Sequence, residues 1–243
     1  MLPFWIALQF LSSLPIRLPG MPKPQELGQS LLFYPLVGLL FGLLLWGANA
    51  LLAGAPLMLH AALLLTLWVL LSGGLHLDGL ADSADAWLGG FGDRERTLTI
   101  MKDPRSGPIA VVTLVLVLLL KFCALLALLE QHNGAVLLIV PLIGRSALLA
   151  VFLTTPYVRA GGLGQALADH LPRQAGWWVS GLSALSCVLL AGSAGLWALV
   201  LAVVGFVWLR RLMMRRLGGT TGDTAGALLE LLEVLVLVGV ALM

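Results

Sequence analysis

Apolar runs long enough to cross a bilayer recur from one end of this chain to the other, and they restrict it to one architecture. A helix needs about 20 apolar residues to span about 30 Å of hydrocarbon. Residues 31–53, 107–129 and 135–155 meet that length, residues 57–71 form a shorter run, and residues 227–243 close the chain. The run 177–209 is too long for one crossing, since 33 residues would measure about 50 Å as a helix. The small residues Ala191 to Gly195 at its middle predict a tight hairpin. Residues 4–14 are apolar but too short to span, which predicts an interfacial or re-entrant helix. The expected fold is all-α: a polytopic membrane bundle of about seven transmembrane helices plus that short N-terminal helix, in one integral membrane domain over residues 1–243.

Composition agrees. The chain is 60% hydrophobic with a mean hydropathy of +1.01, and only 11% of its residues are charged. A net charge of +2 is too small to recruit nucleic acid; the lipid bilayer is the expected partner. Cys123 and Cys187 lie in apolar runs, so buried inert thiols are expected, without a disulfide or metal knuckle. The segment Met1 to Leu14 has no basic n-region, so no removable signal peptide is expected.

The few charges are unevenly placed. Arg17, Lys23, Arg94, Arg96, Lys102, Arg105, Arg159, Arg173, Arg210, Arg211, Arg215 and Arg216 all fall on one side of a seven-span arrangement. The positive-inside rule makes that side the cytoplasm and puts the N-terminus there, in the cytoplasmic (inner) membrane. Only Lys121 and Arg145 lie inside spans. Arg145 is near the midplane and needs a partner, an acidic side chain or a substrate phosphate. Lys121 is read as structural, snorkelling to the outer boundary. The long polar loops, residues 73–106, 156–176 and 210–226, share the basic side, which points to chemistry at that surface.

The most specific motif is Gly73-Gly74-Leu75-His76-Leu77-Asp78-Gly79-Leu80-Ala81-Asp82-Ser83-Ala84-Asp85. Asp78, Asp82 and Asp85 are spaced i, i+4, i+7, so a helix projects all three from one face. A structural role rarely requires three like charges on one stripe, whereas a divalent cation offsets their repulsion, and carboxylate oxygens suit Mg2+. A solvated acidic turn is the plainer alternative. Downstream, Met101-Lys102-Asp103-Pro104-Arg105-Ser106-Gly107 places Lys102, Asp103 and Arg105 beside the stripe, a pattern suited to an anionic substrate. A second acidic group, Asp223, Glu230 and Glu233, follows the Gly/Thr-rich turn 218–226; pairing with the Arg210–Arg216 cluster is its alternative reading.

Asp-Gly-x2-Asp-x2-Asp resembles part of the motif of CDP-alcohol phosphotransferases, but their fuller motif continues through an Ala-Arg pair to another Asp, and Ala86-Trp87 does not follow it. The closer resemblance is to the cobalamin synthase family. Its HLDGLAD hallmark stands at His76 to Asp82, together with FLSSLPIR (Phe10 to Arg17), YPLVG (Tyr34 to Gly38), MKDPRSG and GGTTGDTAGALLELLE (Gly218 to Glu233). Pro104 and Pro108 replace the Ser or Thr more frequent there. The resemblance implies a transferase that joins adenosylcobinamide-GDP to α-ribazole or its phosphate, with release of GMP. It implies Mg2+ on Asp78, Asp82 and Asp85, with Asp223, Glu230 and Glu233 holding a second ion. Asp85 is the expected base, with Asp82, Lys102 and Arg105 catalytic. His76, Asp103, Arg145 and Thr221 are the expected substrate contacts. Self-association and contact with cytoplasmic enzymes of the cobalamin pathway are also expected. An ion-coupled transporter is the alternative from another class; it predicts polar access from both sides, whereas the loops opposite the basic side are almost bare.

Overall fold

The structure, a computed structural model, describes residues 1–161 and 163–243. Among them the chain is helical throughout, and the one strand-like pairing is an isolated parallel bridge between Tyr157 and Thr220. Helices α1 (Leu2–Leu11) and α2 (Pro24–Ser30) precede α3 (Tyr34–Leu51), α4 (Leu57–Ser72) and α5 (Leu75–Gly89). Then come α6 (Arg94–Ile100), α7 (Pro108–Glu130), α8 (Val136–Thr154), α9 (Leu163–Asp169), α10 (Arg173–Leu217) and α11 (Gly222–Ala241).

Five helices are long and apolar enough to cross a membrane, and a sixth passes if α4 and α5 are taken together. The remaining crossing comes from α10, which is broken at Gly192 (φ 56°, ψ −128°). A Cβ on Gly195 would collide with the carbonyl of Cys187, a contact impossible in a straight helix. Arg173 donates to the Leu153 carbonyl and Arg210 to the Thr154 carbonyl, so both ends of α10 meet one end of α8. The expected hairpin is therefore present. α1 is a short helix laid against α2 and α3.

α8 and α11 are the most enclosed helices. Gly38 and Gly42, one turn apart on α3, meet the backbone of α8 at Pro141 and Leu138; small residues at that spacing let two helices approach closely where lipid offers no hydrophobic drive. The outer helices show lipid an apolar jacket, with Val111, Val115 and Leu119 on α7 and Val203, Val204 and Trp208 on α10 exposed. A patch of that extent on a water-facing surface would be an association site; here it marks a multi-pass membrane protein. Cys187 is buried as expected, but Cys123 is exposed on the jacket: a helix in lipid has no need to turn an apolar thiol inward.

The decisive bend lies between α4 and α5. Gly73 (φ 60°) and Gly74 (φ 72°) both occupy the left-handed region, which glycine enters at little cost. The two helices diverge by 87°. α4 alone rises about 24 Å, and α5 lies across its end. Ser13 secures the corner, its N–H donating to the Leu71 carbonyl at 2.9 Å and its hydroxyl to that of Leu70 at 2.5 Å. The acidic motif thus occupies a helix that caps the polar end of the bundle.

Candidate active site

α5 crosses α11 almost backbone to backbone. A Cβ on Gly79 would lie 2.9 Å from the Asp223 carbonyl oxygen and 3.1 Å from its Cα. One on Gly226 would lie 3.3 Å from the Cα of His76. These glycines are what bring the Asp78–Asp82 stripe up to Asp223, two carboxylate groups separated by more than 140 positions in sequence. Beside the crossing is a cavity of about 270 Å³, whose polar walls are Tyr34, His76, Asp78, Tyr157, Arg159 and Asp223.

Each wall is held locally. Thr221 caps α11, accepting from the Thr224 N–H at 3.2 Å while its own N–H donates to the Thr224 hydroxyl at 2.9 Å. The bridge next to this turn, Val158 N–H to the Thr220 carbonyl at 2.9 Å, carries Arg159 to Asp223, which it bonds at 2.8 Å. Burial first, then the Asp78 and Asp223 carboxylates, push the pKa of Asp82 up to about 6. His76 is buried, and among the described residues its Nδ1 has no partner; burial, and then the Arg145 and Lys121 charges, lower its pKa and keep it neutral.

Several expected site residues are placed differently. Asp85 accepts the Gly107 N–H at 2.5 Å and the Ala110 N–H at 2.9 Å. It satisfies free donors in the first turn of α7, as a capping carboxylate does. Replacing Asp85 with alanine is therefore expected to cost about 1–2 kcal/mol of stability, read by thermal unfolding, while folded protein keeps kcat within about tenfold. A kcat loss of about 10²-fold or more would return the role of base to Asp85. Thr221 is fully buried and its hydroxyl is engaged in the cap and on the Met101 sulfur, so it supports the site from beneath. Lys102 is exposed, and Arg105 forms an exposed ion pair with Asp103 at 2.8 Å. That pairing holds Asp103 at about 2. None of the three lines the cavity.

The second acidic group is divided. Asp223 faces the cavity, but Glu230 and Glu233 lie inside the bundle. Lys121 bonds Glu230 at 2.6 Å and Glu233 at 2.7 Å, and Arg145 pairs with the other Glu233 oxygen. Arg145, expected at substrate, is fully buried over the Phe41 ring. Lys121 points inward onto these carboxylates, away from the boundary to which snorkelling would have taken it. Sequence reasoning offered an acidic side chain as one candidate partner for Arg145 but did not bring Lys121, Glu230 and Glu233 to it as a quartet, and it overlooked Arg159. The signal for the quartet was numerical: two cations and two carboxylates inside the spans neutralise one another in hydrocarbon.

Among the described residues no three His, Cys, Asp or Glu side chains form a ready-made metal cage. Mg2+ does not need one, because it is commonly held by one or two carboxylates, substrate phosphates and water. The oxygen-only donors Asp78 and Asp223, facing one cavity, fit that pattern. A larger cavity of about 440 Å³ at the opposite end, walled by Asn49, His60, His132 and Asn133, has no charged residue in its lining.

A bundle of this kind, with a carboxylate and guanidinium cavity at its polar face, defines a multi-pass membrane protein equipped for phosphate chemistry. A family model described as cobalamin-5-phosphate synthase matches residues 3–241. The chain belongs to that family. It is 81% and 78% identical to adenosylcobinamide-GDP ribazoletransferases from two strains of Pseudomonas fluorescens, and 74% identical to that of Pseudomonas entomophila, over the full length of both chains in each case. No solved structure matches it.

Proposed function

We propose that this protein joins adenosylcobinamide-GDP to α-ribazole, or to α-ribazole phosphate, and releases GMP. Full-length identity of 81% to a protein bearing that name carries the reading, and the cavity at the α5–α11 crossing gives it a place. The basic end faces the cytoplasm in this reading, because twelve of the 14 Lys and Arg residues lie in the loops and helix ends on that side.

The pyrophosphate lies in the cavity, with the Arg159 guanidinium and the N-terminal turn of α11 toward its oxygens. Asp78 and Asp223 would hold Mg2+, which when bound neutralises phosphate charge and favours departure of GMP. The ribazole 5′-oxygen forms a bond to the cobinamide-side phosphorus. The bond from that phosphorus to the bridging oxygen breaks, and the bridging oxygen leaves with GMP. The hydroxyl proton passes to Asp82. Among the described residues Asp85 is engaged by α7 and Asp223 by Arg159, whereas the Asp82 carboxylate has no side-chain hydrogen bond or ion pair.

Purified protein in nanodiscs should release GMP only when given both substrates and Mg2+. No release from well-folded protein would overturn the reading and direct attention to CDP-linked lipid substrates. Burial raises the pKa of the Asp82 carboxyl above the ordinary range, and a protonated carboxyl cannot act as a base, so kcat should rise with pH as Asp82 loses its proton. A flat profile, or an Asp82→Asn variant with full turnover, would remove Asp82 from the role.

A further inference from the structure

The turn that ends α5 plays no part in the reaction above, yet it carries a strained aromatic residue. It runs Gly89-Gly90-Phe91-Gly92, and Phe91 and Gly92 both adopt left-handed φ, 46° and 91°. Glycine does so at little cost, whereas a bulky residue there is an outlier. Close packing on α6 sets the path of this turn, since a Cβ on Gly90 would lie 2.1 Å from the Thr97 hydroxyl. That path would suit a third glycine at position 91. The Phe91 side chain is nevertheless 80% exposed, and Leu88, three residues earlier, is 56% exposed. Core packing therefore does not explain the ring. The Arg96 guanidinium lies over it, 5.2 Å from the centroid.

The course of α5 says what covers this turn. α4 runs along the bundle and α5 leaves it at 87°, so α5 lies in the plane of the bilayer surface at the level where α4 ends. Near its far end Trp87 shares an apolar cavity with Trp208 of α10, and Trp208 belongs to the exposed lipid-facing jacket. Indoles of that kind mark the headgroup level. The turn thus continues the jacket, and Arg216 holds it there by donating to the Trp87 carbonyl and, at 3.1 Å, to the Thr97 hydroxyl. A ring beneath a guanidinium suits that depth: the ring enters the apolar boundary while the cation reaches headgroup phosphates. Asp93 is engaged in capping α6, accepting the Arg96 N–H at 2.6 Å. Glu95 is exposed, but the exposed Arg94, Arg211 and Arg215 at this end outweigh it. We infer that α5 is an in-plane interfacial helix whose far end is anchored in phospholipid, with Phe91 and Leu88 seated below the headgroups and Arg96 on a headgroup phosphate. This anchor and the Ser13 corner hold the two ends of the helix that carries Asp78 and Asp82.

The test places a nitroxide on Phe91→Cys, in full-length protein whose Cys123 and Cys187 are replaced by alanine, reconstituted in phospholipid nanodiscs. Its relaxation by molecular oxygen, which concentrates in lipid, is compared with relaxation by a water-soluble nickel chelate. The anchor predicts that oxygen is severalfold more effective, at a depth of about 5–10 Å. Leu88→Cys should report the same, and it keeps the test decisive if Phe91→Cys fails to fold. Adding Arg94→Gln and Arg96→Gln should move either label toward water; a label that does not move would overturn the phosphate contact. Stronger relaxation by the nickel chelate at both positions would overturn the anchor and put the turn in water. Labels that neither reagent reaches would also overturn it, because protein, such as a second copy of this chain, would then cover the turn. This readout is independent of GMP release, so it stands or falls apart from the proposed reaction.

Discussion

Replacing Glu233 with leucine is expected to destabilise the protein by about 3–5 kcal/mol, the usual result of removing one partner from a buried ion pair. Glu233 is fully buried and holds both Lys121 and Arg145. Without it those two cations share only Glu230, and one positive charge is left uncompensated inside the bundle. The sign of the pairing effect is testable. Removing Arg145 and Glu233 together, as a double leucine variant, leaves Lys121 and Glu230 as a balanced pair at 2.6 Å. That variant should recover most of the loss, with a large coupling energy in a double-mutant cycle. Thermal unfolding in nanodiscs reads both. A single variant that loses less than about 1 kcal/mol would mean that water reaches the quartet.

Gly79→Val is expected to reduce turnover by about 10²-fold or more, the cost of displacing reacting groups by about 1 Å. The added Cβ meets the backbone of Asp223 at 2.9 Å and 3.1 Å, and backbone cannot rotate away as a side chain can. α5 and α11 must separate, which carries Asp78 and Asp82 away from Asp223. Gly47→Ala is the control: it lies in a helix with nothing within 4 Å of its would-be Cβ. There the change should be neutral or stabilise by about 0.5–1 kcal/mol, with GMP release unaffected. Retained activity in Gly79→Val would show that the crossing does not set the site.

Much of the architecture was legible in run lengths and charge, because the bilayer imposes rules that act on local sequence. An overlong apolar run broken by Ala191 to Gly195 had to fold back, and it does so at Gly192. The i, i+4, i+7 stripe had to share a helix face, since helical period alone decides that. Assignment of individual charges was less legible. Asp85 belongs to the same stripe as Asp78, yet it caps α7, because the chain returns through Gly107 to present unpaired N–H groups there. Glu230 and Glu233 follow Asp223 by two and three turns of one helix, yet a rise of about 1.5 Å per residue carries them from the cavity into the bundle.

The sequence by itself determined that this chain is a membrane bundle with a basic end, an acidic stripe and a family membership readable in its motifs. Each of those properties follows from residues close together in the chain. Only the tertiary structure decided which carboxylates face the cavity, which cap a helix and which neutralise Lys121 and Arg145. The reason is physical: a carboxylate takes its role from the nearest donor or cation in space, and those partners lie 22 to 112 positions away in sequence.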